Sequence, residues 1–393
     1  MLEKNTMDEP PQPIAICGMA LRLPGALKTP AQFWTLLTEK QDARERIPFE
    51  RFNAEAFHSV SGKPGYINSQ YGYFLDESAE VGAIDTSFFR MSQQESHRTD
   101  PQQKILLELA RECFECAGET NWRGKDIGTY IGSYGNDWVE MAVKDPLMNS
   151  MYKVTGYGDF MFSNRLAYEY DLQGPSMTVR TGCSASLVGL HEACGAIRNG
   201  DCSAALVGGC NLPWSPNTMS DMSAQGVLSL NASCRTFDAD ADGYARGEAV
   251  NMIYIKSLSA AIKDGNPIRA IIRGTATNAD GNTAGMSMPS AFSQEKMIRR
   301  AYATAGIAEP DISRTAFVEC HGTGTLIGDP IETTAVGNVF GNSGVYIGSC
   351  KPNVGHSEGA SGITSVIKAV LALENRVIPP NIKFDNPNPK IPF

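Results

Sequence analysis

No stretch of about 18 consecutive apolar residues occurs in the chain, so no membrane-spanning helix is expected. Residues 1–13 are polar, charged and end in Pro-Pro-Gln-Pro, without the apolar core of a secretory signal. Positive charge is in the minority: 34 Lys and Arg stand against 43 Asp and Glu, a net −9. That balance argues against a broad surface for nucleic acid or anionic lipid. Histidine is scarce, five in all, and no short repeat or low-complexity tract is present. Ten cysteines without a secretion signal read as reduced thiols, which makes the cytosol the expected location and the sequon Asn231-Ala232-Ser233 a chance match. Cys113 and Cys116 fall inside a helical pattern with no second pair, which removes them as a metal or redox motif.

What the chain does have is the composition of a soluble globular protein, 42% hydrophobic and 20% charged. Its pattern alternates strand and helix, which favours an α/β layer architecture. Strands are expected at 14–19, 127–132, 175–180, 204–208, 250–255, 270–274, 315–319 and 345–348. Helices are expected at 32–39, 184–198, 294–305, 330–340 and 357–373, with a strong amphipathic one opened by Asp100-Pro101 and running through Ala117. Residues 44–90 form a long irregular stretch of the kind that covers sites or interfaces. The expected division is a disordered segment 1–12, a first α/β half 13–264 and a second half 265–393.

Cys183 stands between a strand and the first turn of a helix, in Arg180-Thr-Gly-Cys-Ser-Ala-Ser186. Unpaired N–H groups at a helix start favour thiolate over thiol, and Gly182, Ser184 and Ala185 leave room for an acyl group. In outline this is a nucleophile elbow with sulfur in place of a hydroxyl. Two of the five histidines, His321 and His356, sit in loops of small residues after expected strands: Cys320-His-Gly-Thr-Gly-Thr325 and Lys351-Pro-Asn-Val-Gly-His356. Imidazole N–H groups can stabilise charge developing on a thioester oxygen, which suits carbon–carbon bond formation by decarboxylation. Lys351 adds a fixed positive charge, with Asp329, Glu332 or Glu358 as counter-charges. A dinucleotide loop at Gly322–Gly328 is rejected, because its spacing is wrong and no acidic ribose partner follows. A calcium loop at 238–249 is rejected too, since position twelve is Ala249, and the stretch reads as a turn near the mouth of the site.

These three motifs, in order, resemble the β-ketoacyl synthase family. Pro13–Gly25, Asp100-Pro-Gln-Gln103 and Phe237-Asp-Ala-Asp-Ala-Asp-Gly-Tyr244 match it as well, so the likeness covers nearly the whole chain. Arg180-Thr-Gly-Cys183 and Gly72-Tyr-Phe-Leu-Asp76 look most like fungal highly reducing polyketide synthases. The resemblance implies an α/β, thiolase-like fold of two related halves in five layers, in an intimate homodimer. It implies Cys183, His321, His356 and Lys351 as catalytic residues, with Gly182, Thr323, Thr325 and Asn353 contacting substrate. It also implies acyl and malonyl thioesters as substrates, carried on the phosphopantetheine of an acyl-carrier protein, with no metal and no soluble cofactor.

Members of the family continue beyond the equivalent of Phe393 into a Gly-rich segment that supplies closing strands and a second oxyanion donor. On that comparison the C-terminal strands are expected to be truncated. One lost oxyanion donor costs about 2.7–4 kcal/mol in comparable enzymes. Three readings follow: a condensing acyltransferase; an impaired remnant that keeps only dimerisation or carrier docking; and a cysteine hydrolase, which leaves Lys351 and one histidine without a role.

Overall fold

Strand β1 (Ile14–Arg22) is buried on both faces and lies inside a six-stranded mixed sheet. The computed structural model describes residues 12–59, 62–75, 81–144, 150–391 and 393, so the expectation for 1–12 lies outside it save for Gln12. A small antiparallel ribbon pairs β2 (Glu45–Arg46) with β3 (Tyr71–Gly72). The main sheet adds β4 (Ile127–Ser133), β5 (Ser176–Val179), β6 (Ala204–Asn211), β7 (Ala249–Ser257) and β8 (Ala270–Ile272), in the order β5-β4-β6-β7-β1-β8. Strands β5, β4 and β6 run parallel, whereas β6, β7, β1 and β8 alternate in direction. Strand β8 thus joins the first sheet, which crosses the boundary drawn near residue 265. A second, parallel sheet pairs β9 (Phe317–Glu319) with β10 (Tyr346–Gly348).

The two-residue alternation of β1 and β7 sends side chains into two separate cores. Ala15, Cys17, Met252 and Tyr254 pack under the helix Pro101–Cys116. That helix starts where the sequence places it, because the Asp100 carboxylate accepts the Gln102 N–H and Pro101 needs no donor. Ile14, Ile16, Ile253 and Ile255 face the other way, onto the helices Ala185–Asn199 and Ser361–Asn375. Beyond these, β9 and β10 pack with the helices Ala291–Thr304 and Gly328–Phe340 through Ile298, Val318, Val336, Phe340 and Ile347. The order is helix, sheet, helix, sheet, helix: five layers. The stretch 44–90 holds the short helix Ala54–Phe57 and the β2–β3 ribbon. It is tied to the sheet by the buried ion pair of Arg51 with Glu248, Nε to Oε1 2.5 Å.

Candidate active site

Strand β5 ends at Val179, a single 3₁₀ turn spans Gly182–Ser184, and the helix Ala185–Asn199 follows at once. Gly182 makes the turn with φ +66°, a left-handed conformation that costs glycine little. At Gly132 a Cβ would meet the Ser186 nitrogen at 2.3 Å, so only glycine lets β4 pass this close to the helix start. The result holds Cys183 half-buried at the foot of a cavity of about 520 Å³. Val227, Tyr244, Met288, Leu326 and Ile327 give that cavity apolar walls, and Asp242 and Gly243 lie at its edge, where the sequence puts a turn. A second cavity of about 220 Å³, near Leu23, Leu75 and Ile105, is lined by no cysteine, serine or histidine among the described residues.

His356 Nε2 lies 3.0 Å from Cys183 Sγ. Its backbone is strapped to the preceding loop by His356 N–H to the Ala245 carbonyl and Gly247 N–H to the His356 carbonyl, each 2.8 Å. The Glu358 N–H donates to His356 Nδ1 at 3.2 Å, which leaves the ring proton on Nε2, pointed at the sulfur. Burial, then Lys351, the neighbouring His321 ring and Arg246, hold this imidazole well below its ordinary pKa and therefore neutral. The His321 ring stands 5.2 Å from it, centroid to centroid, with the planes at 88°. Burial among the surrounding loops and then Lys351 lower the His321 pKa to about 3. The ring is nonetheless exposed at the cavity mouth, which argues for a smaller displacement. It is neutral at pH 7 either way.

The His321 loop is fixed through its backbone. Glu332 accepts the N–H groups of His321 and Gly322 at 2.6 and 2.8 Å, and the buried Lys351 amine donates to the His321 carbonyl at 2.5 Å. Of the expected counter-charges, Asp329 is taken up by the N–H groups of Phe237 and Gly324, so Lys351 acts on the loop and on the field rather than through that pair. Thr323 and Thr325 reach the cavity, their hydroxyl oxygens 3.4 Å apart. Asn353 does not: it is fully buried and donates its amide to the Gln41 carbonyl.

Cys183 differs from expectation in one respect. Burial and then the charge of Glu358 raise its thiol pKa, while Lys351 lowers it by less, so the helix-start preference for thiolate is overridden. Three residues escaped the sequence reading in these roles. Glu358 Oε2 accepts the Cys183 thiol at 3.4 Å, Arg246 lies 3.7 Å from Glu358 Oε1, and Tyr244 stacks edge-on to His356 at 5.0 Å. The only sequence signal for Tyr244 and Arg246 is the turn that carries them. Sγ and a nitrogen of each ring lie within 4.8 Å of one another, a spread that would admit a metal ion. The Glu358 N–H bond to Nδ1 puts the His356 proton on Nε2, which makes that nitrogen a donor toward the sulfur.

Residues 11–261 match the family Beta-ketoacyl synthase, N-terminal domain, and residues 269–385 match Beta-ketoacyl synthase, C-terminal domain. The highly reducing polyketide synthase sphB of Aspergillus fumigatus is 59% identical over 381 residues, 97% of this chain and 15% of that protein. VdtX of Byssochlamys spectabilis, another highly reducing polyketide synthase, is 60% identical over 380 residues, 97% of this chain and 17% of that one. The chain therefore spans about a sixth of the length of these relatives. Among solved structures, the oxazolomycin ketosynthase domain OzmH KS7 of Streptomyces albus superposes with TM-score 0.88 at 33% identity, over 97% of this chain and 66% of that one. The ketosynthase from module 6 of the bacillaene synthase of Bacillus subtilis gives TM-score 0.87 at 33% identity, over 97% and 64%. Nothing in these comparisons favours a non-catalytic remnant. The chain belongs to the β-ketoacyl synthase family, has its thiolase-like fold, and carries a ketosynthase sequence of the kind found in fungal highly reducing polyketide synthases.

Proposed function

We propose that this chain catalyses decarboxylative Claisen condensation, as the ketosynthase of a larger polyketide-making synthase. Cys183 takes an acyl group from an acyl-carrier thioester, forming an S–C bond and releasing the carrier's phosphopantetheine thiol. A malonyl thioester on a carrier protein then loses carbon dioxide, and the electron pair moves into an enolate. The ring N–H groups of His321 and His356 stabilise the enolate oxygen. Its carbon attacks the Cys183 thioester, the S–C bond breaks, and a β-ketoacyl chain leaves on the carrier. Lys351 holds the His321 loop and keeps both rings neutral, and Thr323 and Thr325 meet the incoming arm. Gly182 keeps the approach to sulfur open, and Asn353 supports the site from behind. No metal or soluble cofactor enters this scheme.

The carrying observation is the 3.0 Å approach of His356 Nε2 to Cys183 Sγ with His321 beside it. Strand β5, paired on one side only among the described residues and half-exposed at Met177, supports a homodimer built along that edge. Ten unpaired cysteines suit a reducing compartment such as the cytosol. Among the described residues no helix is long and apolar enough to cross a membrane.

The test is a radiolabelled acyl thioester followed by malonyl-acyl-carrier protein. Label should sit on Cys183, disappear in Cys183→Ala, and move to a longer product as carbon dioxide is released. Label that survives the substitution would end this reading. Hydrolysis of the thioester without malonyl-dependent elongation would favour a cysteine hydrolase.

A further inference from the structure

Loading Cys183 requires that its thiol proton go somewhere, and His356 is turned the wrong way to take it. Its Nδ1 already accepts the Glu358 N–H, and its Nε2 carries a proton toward the sulfur. Beside the ring lies Glu358, whose Oε2 is 3.4 Å from Sγ and 3.6 Å from His356 Nε2. The residue is 1% exposed, and its Oε1 has no hydrogen-bond partner among the described residues. Arg246, also buried, faces it at 3.7 Å, its Nε and Nη1 without a hydrogen-bond partner among the described residues. Glu358 adopts φ +43°, a conformation disfavoured for a side chain of this kind. From that one position its N–H fixes the His356 tautomer while its carboxylate meets the thiol.

We propose that Glu358 is a further catalytic residue, the proton acceptor for Cys183 during acyl transfer. The inference rests on the condensing-enzyme reading above and adds a step to it. As the sulfur attacks the incoming thioester carbonyl, the S–H proton passes to Glu358 Oε2. The tetrahedral centre then expels the carrier thiolate, which takes the proton back, so one S–C bond forms, one breaks, and Glu358 ends ionised. Burial raises the Glu358 pKa, and the charge of Arg246 opposes that rise. The other titratable groups around it are His356, Tyr244, Tyr134 and Lys351, besides the thiol itself.

The probe is hexanoyl-N-acetylcysteamine, with loading of the full chain followed by intact-protein mass spectrometry from pH 5 to 9. Wild type should load along a limb that rises with carboxylate ionisation and then levels. Glu358→Gln, close in size, should load about 100-fold more slowly near pH 7. Its rate should climb about tenfold per pH unit, as expected when hydroxide must remove the proton, and Glu358→Asp should recover part of the loss. A Gln variant that loads as wild type does, or that is slower by one constant factor at every pH, overturns the proposal. Should the variant not fold, a wild-type rate climbing tenfold per unit to pH 9 without a carboxylate limb overturns it equally. Wild type that never acquires a Cys183 thioester sinks the condensing-enzyme reading as well, whereas normal wild-type loading with an unaltered Gln variant sinks this step alone.

Discussion

Asp238 has the sequence surroundings of a first calcium ligand, yet its carboxylate is spent on backbone. It accepts the N–H groups of Asp240, Asp385 and Asn386 at 2.8–2.9 Å and so pins the last stretch of the chain to the turn at the cavity mouth. Burial by itself would raise this carboxyl, but the three N–H donors outweigh it and hold the pKa below the usual range. A carboxyl depressed in this way stabilises the fold above its unfolded pKa, near pH 4, and loses that contribution as pH falls through the lower folded value. Asp238→Asn should therefore cost about 1 kcal/mol or more at pH 7, and nearly nothing well below pH 3. Thermal unfolding across that range is the check; an equal loss at both ends would refute the assignment. The same residue shows what sequence leaves out. Spacing was enough to reject calcium, but the partners at 385 and 386 lie some 150 positions away.

At the scale of elements, the elbow was legible because everything it needs is local. A strand, a glycine and a helix start within ten residues announce Cys183, and each histidine likewise follows a strand in a loop of small residues. Glu358 was visible only as a charge near Lys351, since its contact with Cys183 spans 175 positions. Asn353 shows the converse: its motif places it beside Lys351, but the short helix Lys351–Val354 turns it inward to Gln41. The turn bearing Glu358 is held against β6, where a Cβ on Gly209 would meet Ala360 Cα at 2.6 Å. Gly209→Ala must push strand and turn apart, at a cost of about 1–3 kcal/mol. We expect the variant to fold with a lower melting temperature and to lose Cys183 labelling more than its stability loss explains. Unchanged labelling in a destabilised protein would show the turn to be slack.

Across the whole molecule, the α/β alternation was legible from the strand–helix rhythm, whereas the five layers came only with the family resemblance, and one strand crosses the division drawn near residue 265. Strand β8 follows the boundary near 265 and still pairs with β1, and the helix Ser361–Asn375 shares one core with β1, β7 and the helix Ala185–Asn199. Periodicity marks where elements are, not which sheet receives them. A core built from both halves should melt as one unit: thermal unfolding followed by circular dichroism and by tryptophan fluorescence should give one coincident transition. Two separated transitions would show that the halves are independent. The seam between them is lined by residues that leave no slack. Gly359 lies against Ser133, and Gly362 against Leu187 and Ser186. Hybrid genes that splice the cysteine-bearing part of one synthase to the imidazole-bearing part of another therefore inherit a matching problem at this seam. Exchange should succeed only where both sides of each tight pair travel together, so natural recombination would be steered toward swapping the unit entire.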